Sequence, residues 1–209
     1  MNPINIIMPK LLQNIDLSII ESENVFNYLI SGKASEVEMA AFLATLSVKG
    51  SCSKELIGAV NALKPFVKNP LNLDLNTVDI VGTGGDGLKT YNISTTVAFI
   101  VASTGIYVAK HGNTAVSSKS GASDVLTELG VNINIDDKLI NKCLKKTNIC
   151  FLFAPNYNNA FKNVAQVRKE LTFRTIFNLL GPLLNPVRAQ RQLLGVFSDQ
   201  YVKILAETL

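Results

Sequence analysis

Evidence for disulfide bonds, membrane spans and secretion is missing from this sequence. Its three cysteines, Cys52, Cys143 and Cys150, are odd in number and lack the two-residue spacing of a metal or redox pair, so we expect reduced thiols. The most apolar stretch, residues 97–108, is interrupted by serine, threonine and glycine and is too short to cross a bilayer. Residues 1–12 contain two prolines and no long apolar run, which argues against a secretory signal. These absences predict a cytoplasmic protein that does not associate with membranes.

Strong charge of either sign is also missing. Lys and Arg number 20 against 16 Asp and Glu, which gives a net charge of +4 and a pI near 8.9. The basic residues are scattered along the chain, and this argues against a nucleic-acid-binding face. Hydrophobic residues make up 47% and charged residues 17%, so the chain can bury an ordinary core and is not expected to be disordered.

The first part of the chain, residues 1–72, has the pattern of a small helical domain. Ser35 and Glu38 form a capping box, in which each side chain satisfies a free amide at a helix start. Apolar residues follow at helical spacing as far as Gly50, which predicts the end of that helix. Similar patterns predict helices over about 22–30 and from Ser53 toward residue 65.

Residues 73–209 have a different pattern, in which short apolar runs alternate with helical segments. We predict strands at 78–81, 106–109, 150–153 and 193–197. Helices are predicted at about 95–104, 123–129, 137–146 and 158–168, with another beginning near residue 199. Strand and helix in alternation indicate an α/β domain with a mainly parallel sheet flanked by helices. Ligands of such sheets bind at the carboxyl ends of the strands.

A glycine-rich loop follows the first predicted strand, at residues 82–87. Four glycines in six residues let backbone amides approach a phosphate, and Asn92, Ser94 and Thr95 then begin a helix whose free amides favour an anion. A tight strand–helix turn, with glycine present only for its dihedral angles, is the alternative. The loop lacks the glycine spacing of a dinucleotide fold and the Lys-Ser/Thr pair of a Walker loop.

A second loop of this kind, residues 110–121, follows the second predicted strand. Lys110 can offer a positive charge to phosphate, and Ser117 and Ser118 can offer hydroxyl and amide donors. His111 is the only histidine and has no neighbours that complete a catalytic triad, so a structural role is the alternative for it. Two such loops on consecutive strands predict a pocket for a ligand with several phosphates, such as a sugar phosphate or a nucleotide.

Longer motifs resemble the signatures of the anthranilate phosphoribosyltransferase family. The matching segments are 79–87, 90–95, 109–113, 151–155, 167–171 and 174–186, with 40–43 and 49–50 in the helical part. The resemblance implies transfer of a phosphoribosyl group from 5-phosphoribosyl 1-pyrophosphate to the amine of anthranilate, in tryptophan biosynthesis. It also implies Mg²⁺ as cofactor and a homodimer joined through the helical domain.

The family's binding residues transfer to matching positions of this chain. For the phosphoribosyl donor they are Gly82, Gly85, Asp86, Thr90, Asn92, Ile93, Ser94, Thr95, Lys110, His111, Gly112, Asn113, Ser117, Ser118 and Ala122. For anthranilate they are Gly82, Asn113 and Arg168, and for the metal Ser94. A surface ion pair with Glu170 is the alternative role for Arg168. No residue is expected to act as a nucleophile or a proton carrier, because position and charge suffice for this reaction.

The chain departs from the family pattern at several positions. Thr114 stands where arginine is usual, Ala122-Ser123 replaces Ser-Ala, Asn158 replaces a histidine, and Gln166 replaces a proline. The family's acidic magnesium-binding pair has no counterpart before residue 209, so we expect either a fragment of a longer chain or a truncated gene product. A pyrimidine nucleoside phosphorylase of the same fold and an inactive phosphate-binding relic are the alternative hypotheses.

Overall fold

The computed structural model describes residues 2–68, 75–84, 91–114 and 120–209. Its helices are α1 (Pro3–Leu12), α2 (Ile19–Ile30), α3 (Glu36–Lys49), α4 (Ser53–Leu63), α5 (Ile93–Ser103), α6 (Ala122–Glu128), α7 (Asp137–Thr147), α8 (Ala154–Tyr157), α9 (Ala165–Glu170), α10 (Phe177–Leu180) and α11 (Gln200–Thr208). Its strands are β1 (Thr77–Gly82), β2 (Tyr107–Gly112), β3 (Ile149–Phe153) and β4 (Arg191–Gly195). Short 3₁₀ helices cover Lys64–Phe66, Asn159–Val164 and Gly181–Leu184.

Two compact units make up the chain, and neither is continuous in sequence. The helical unit comprises Met1–Val67, Asn159–Leu184 and Gln200–Leu209, and the α/β unit comprises Lys68–Asn158 and Asn185–Asp199. The division expected at residue 72 follows the order of the chain, whereas this packing groups two later segments with the first helices. The domain boundary at residue 72 therefore stays a prediction.

The helical unit is organised by capped helices around an aromatic core. The predicted capping box at Ser35 is present, and Ser18 and Glu21 form a second one that starts α2 earlier than the sequence pattern indicated. Phe26 and Phe42 on α2 and α3 are fully buried and meet edge to face, with their ring centres 5.8 Å apart. Phe177 on α10 packs against Phe26 at 5.6 Å, so a late segment of the chain completes this core.

A buried carboxylate links the ends of three of these helical segments. Glu55 on α4 accepts hydrogen bonds from the backbone N–H of Leu17 at 3.0 Å and of Cys52 at 2.9 Å, and it pairs with the ammonium group of Lys49 at 3.0 Å. Lys49 also pairs with Asp16. Each buried polar atom of Glu55 thus has a partner, as the high cost of burying an unpaired charge requires.

The α/β unit contains a four-stranded sheet in the order β3-β2-β1-β4, with every pair parallel. Apolar residues cover both faces of the sheet, because successive side chains of a strand point to opposite sides. Ala109 and Leu152 pack with Ile140 and Leu144 of α7, and Ile80 and Val108 pack with residues of α5. The predicted fold, a helical first part followed by a parallel sheet flanked by helices, is confirmed.

One sequence-based expectation differs from the structure in detail. The continuous helix predicted over about 158–168 is divided into the 3₁₀ helix Asn159–Val164 and α9. The Asn163 side chain in that segment donates to the backbone carbonyl of Ile30 at 2.7 Å, a contact between distant parts of the sequence that helical periodicity does not reveal.

Among the residues the structure describes, no helix is both long enough and apolar enough to span a membrane.

Candidate substrate-binding site

The two predicted binding loops follow neighbouring strands and leave the sheet at the same edge. The strands end at Gly82, Gly112, Phe153 and Gly195, with Gly82 opposite Gly195 and Gly112 opposite Phe153 in the register. Because β1 and β2 are adjacent and parallel, the loops that follow them begin side by side. The topology therefore supports the prediction that both loops face one ligand.

The first loop is hydrogen-bonded to the carboxyl end of β4 and the residues just after it. The backbone N–H of Thr83 donates to the Gly195 carbonyl at 2.9 Å, and the Thr83 hydroxyl accepts from the backbone N–H of Phe197 at 3.1 Å. Gly84 has a φ of +66°, a left-handed conformation that glycine adopts without steric cost. The predicted ligands Gly85, Asp86 and Thr90 lie outside the described residues.

The start of α5 faces the end of β1. A Cβ placed on Gly82 would lie 3.8 Å from the Ser94 hydroxyl, so this half-buried oxygen stands beside the end of the strand. Asn92 makes no capping hydrogen bond to the helix amides, because its side-chain oxygen accepts from the Thr95 hydroxyl at 2.5 Å. Ile93 is exposed and Thr95 is buried. The Ser94 oxygen and the first turn of α5 are thus placed where an anion or a cation could contact them.

Lys110 is buried inside the α/β unit. Its side chain is 3% exposed, and its ammonium group donates to the backbone carbonyl of Ile80 at 2.6 Å. Burial lowers the pKa of Lys110 to about 8, and the nearby charge of Asp79 opposes that shift. In the structure this lysine therefore joins β2 to β1, and its ammonium group lies at the Ile80 carbonyl, two residues before the end of β1.

Asp79 is the centre of the polar network around Lys110. This fully buried carboxylate accepts from the backbone N–H of His111 at 3.1 Å and from the side chain of Gln192 at 3.3 Å. Burial raises its pKa, and hydrogen bonds from Asn185 and His111 act in the opposite direction. Asn185 also donates to the Ala109 carbonyl at 3.0 Å. The network connects β1, β2, β4 and the segment before β4, and the sequence patterns did not identify it.

The second loop leaves β2 through a tight contact. A Cβ on Gly112 would lie 2.7 Å from the ring of Phe151 and 3.1 Å from the Cβ of Ala122, so a larger residue here would require the Phe151 ring to shift. The side-chain oxygen of Asn113 accepts from the backbone N–H of Thr114 at 2.8 Å. The backbone carbonyl of Asn113 accepts from the backbone N–H of Ser123 at 3.3 Å.

The structure shows two further features of this loop. Ser123 is buried, and its hydroxyl forms no hydrogen bond with any described residue. The predicted donors Ser117 and Ser118 lie outside the described residues.

Arg168, the predicted anthranilate ligand, belongs to the helical unit. Its guanidinium carbon lies 5.4 Å from the ring centre of Phe161 and 5.1 Å from that of Phe177. Burial lowers the pKa of Arg168, and within the described part of the chain it forms no ion pair. Glu170, the alternative partner, accepts instead from Gln166 at 2.5 Å. The two aromatic contacts were not predicted from the sequence.

Known proteins define the class to which this fold and these loops belong. A family model described as "Glycosyl transferase family, helical bundle domain" matches residues 6–65, and one described as "Glycosyl transferase family, a/b domain" matches residues 74–209. The chain belongs to this glycosyl transferase family.

Individual relatives show which member of this glycosyl transferase family the chain resembles. An anthranilate phosphoribosyltransferase from Methanobrevibacter smithii is 48% identical over 96% of this chain and 59% of its own length. The resemblance stated from the motifs is confirmed.

Solved structures agree with the sequence relatives. The crystal structure of anthranilate phosphoribosyltransferase from Thermus thermophilus aligns with a TM-score of 0.88 at 37% identity, over 100% of this chain and 62% of that protein. The Saccharomyces cerevisiae enzyme in complex with PRPP and Mg aligns with a TM-score of 0.88 at 29% identity, over 98% of this chain and 61% of that protein. The chain thus spans about three fifths of the length of the relatives it matches.

Proposed function

We propose that the chain carries the donor and acceptor sites of an anthranilate phosphoribosyltransferase. The enzyme transfers the phosphoribosyl group of 5-phosphoribosyl 1-pyrophosphate to anthranilate and forms N-(5-phosphoribosyl)anthranilate and pyrophosphate, a step of tryptophan biosynthesis. The observation that carries this proposal is the pair of glycine-rich loops at one sheet edge, in a chain 48% identical over 96% of its length to a named anthranilate phosphoribosyltransferase.

The donor's phosphates and ribose bind the strand-end loops. The described residues proposed as donor contacts are Gly82, Asn92, Ile93, Ser94, Thr95, Lys110, His111, Gly112, Asn113 and Ala122, and the others are Gly85, Asp86, Thr90, Ser117 and Ser118. Backbone amides of a glycine-rich loop and a helix start are suited to phosphate oxygens. Lys110 contributes the electrostatic field of its positive charge. Its hydrogen bond to the Ile80 carbonyl holds β1 and β2 together.

The proposed acceptor contacts are Gly82, Asn113 and Arg168, with Arg168 as the partner of the carboxylate. A guanidinium group can hold both oxygens of a carboxylate through two parallel hydrogen bonds. Arg168 is charged, lies against two aromatic rings and is not paired with an acid among the described residues, which suits it to an anionic ligand.

The reaction needs position and charge rather than a catalytic nucleophile. The amine nitrogen forms a bond to C1 of the ribose while the bond from C1 to the pyrophosphate oxygen breaks, and the amine then loses its proton to solvent. Bound Mg²⁺ supplies neutralisation of the pyrophosphate charge. Ser94 would hold that ion through its hydroxyl oxygen beside the end of β1, since magnesium prefers oxygen ligands.

The remaining features of the proposal concern the whole protein. It is proposed to be a cytoplasmic homodimer joined through the helical part of residues 1–72, with the α/β domain over 73–209. Neither nucleic acid nor a membrane is a proposed partner. The relatives reported above carry the transferase name, which favours this function over a pyrimidine nucleoside phosphorylase.

Anthranilate fluorescence tests the proposal directly. The chain is mixed with anthranilate, donor and Mg²⁺, and we expect the fluorescence to fall as anthranilate is consumed, and to stay constant with EDTA or in Arg168→Gln. Calorimetry with donor and Mg²⁺ tests binding in the same sample. Binding without turnover would indicate the inactive relic, and phosphorolysis of thymidine would contradict the transferase function.

A further inference from the structure

Two aromatic rings hold the cation of Arg168, and neither belongs to the binding residues named so far. We propose that Phe161 and Phe177 are positioning residues that hold the Arg168 guanidinium in place for an aromatic carboxylate acceptor. This inference rests on the proposed function, because it specifies how the acceptor's carboxylate is recognised.

The geometry restricts the guanidinium in more than one direction. Its carbon lies 5.4 Å from one ring centre and 5.1 Å from the other, both within the range of a cation–π contact. The two ring planes are 68° apart, and their centres are 5.7 Å from each other. A cation can slide over a single ring, whereas two steeply inclined rings confine its position.

The aromatic contacts still allow Arg168 to bind a carboxylate. Its planar fork of N–H donors matches the two oxygens of that group. The nearest acid in sequence, Glu170, is engaged by Gln166 at 2.5 Å. Arg168 forms no ion pair with an acid in the part of the chain that the structure describes, so no described acid competes with a ligand carboxylate for its N–H donors.

Both rings are anchored to the core of the helical unit. Phe177 is 2% exposed and packs edge to face on Phe26. Phe161 lies in the 3₁₀ helix Asn159–Val164, which Asn163 ties to the carbonyl of Ile30 at 2.7 Å. The position of Arg168 is thus set by side chains packed in the core.

The test compares Phe161→Leu with Phe161→Tyr. Phe161 is half-buried, so leucine keeps an apolar side chain there but removes the ring, while tyrosine keeps the ring. Phe42→Leu is the control, since it alters the same aromatic core without touching Arg168. Anthranilate affinity is measured by fluorescence titration of the whole chain, donor affinity by calorimetry with Mg²⁺, and folding by circular dichroism.

We expect Phe161→Leu to weaken anthranilate binding about tenfold, the loss of one desolvated cation–π contact, and to leave donor binding within about twofold. Phe161→Tyr and Phe42→Leu should bind anthranilate within about twofold of the wild type. In the NMR spectrum of the free chain, ring currents should shift the Arg168 Nε–H proton upfield, and this shift should be lost in Phe161→Leu.

The outcomes separate this inference from the function on which it rests. Wild-type binding that Arg168→Gln abolishes but Phe161→Leu leaves intact would overturn the positioning role alone. Equal weakening of anthranilate and donor binding in Phe161→Leu would also overturn it, because that result indicates a general structural effect. A wild-type chain that does not bind anthranilate at all overturns the proposed function and this inference with it.

Discussion

Replacing Lys110 by methionine should change how the stability of the protein depends on pH. The ammonium group of Lys110 is 3% exposed and has a pKa of about 8 in the folded chain, against 10.5 for an ordinary lysine. Between these two values the unfolded chain binds more protons than the folded one, so stability rises with pH. Integrated from about pH 7 to about pH 10, the difference contributes about 2.5 kcal/mol to the free energy of unfolding.

The measurement is urea denaturation of the wild type and of Lys110→Met at several pH values in that range. Other buried groups titrate nearby, since burial raises the pKa of Cys150 and of Tyr157 to about 12 each. These two groups lower stability at high pH in both proteins, so the difference between the proteins isolates Lys110. Lys142→Met controls for the loss of an exposed lysine. A wild-type minus Lys110→Met difference that stays constant with pH would refute the reasoning.

Three further changes have expected outcomes. Gly112→Ala should lower the free energy of unfolding by about 2 kcal/mol, because its Cβ would lie 2.7 Å from the Phe151 ring; an unchanged urea midpoint would contradict this contact. Glu55→Gln should cost about 3 kcal/mol by leaving Lys49 without its buried partner, and a thermal melt equal to that of the wild type would argue against the ion pair. Ser94→Ala should weaken donor binding about tenfold with Mg²⁺ and little without it, as calorimetry can measure; equal affinities would exclude Ser94 as a metal ligand.

Local patterns were enough to predict the sheet and the loops. The strands occur within a few residues of the predicted runs, because a short apolar segment bounded by glycine is a local signal. The capping box at Ser35 was found in the same way. The equivalent box of Ser18 and Glu21 follows the same pattern, but the helix was placed from its apolar stripe, which is clear only after Ser22.

Helix α1 shows where such signals conflict. Asn2 caps it and Pro3 stands at its first position, both typical of a helix start, yet Pro9 lies inside the helix. An internal proline removes a hydrogen bond and usually ends a helix, so the sequence alone gives no clear assignment there.

The site depends on contacts that no local pattern encodes. Lys110 was predicted to contact phosphate, a role still untested, and the structure shows its ammonium group on the carbonyl of Ile80, 30 residues earlier. The rings of Phe161 and Phe177 meet Arg168 only because three different segments fold together. Sequence motifs therefore supplied a list of candidate binding residues, whereas the hydrogen bonds and ring contacts that position some of them required the structure.

The interleaving of the two units has a consequence for how the protein is made. The polypeptide passes between them four times, at residues 67/68, 158/159, 184/185 and 199/200. Helices α1–α4 leave the ribosome first, but their aromatic core is completed by Phe177, and β1 receives its partner β4 later still. Neither unit can finish folding during synthesis before most of the chain has emerged. A cut at residue 67 would likewise separate Phe26 from Phe177, so the first helices are not an excisable module.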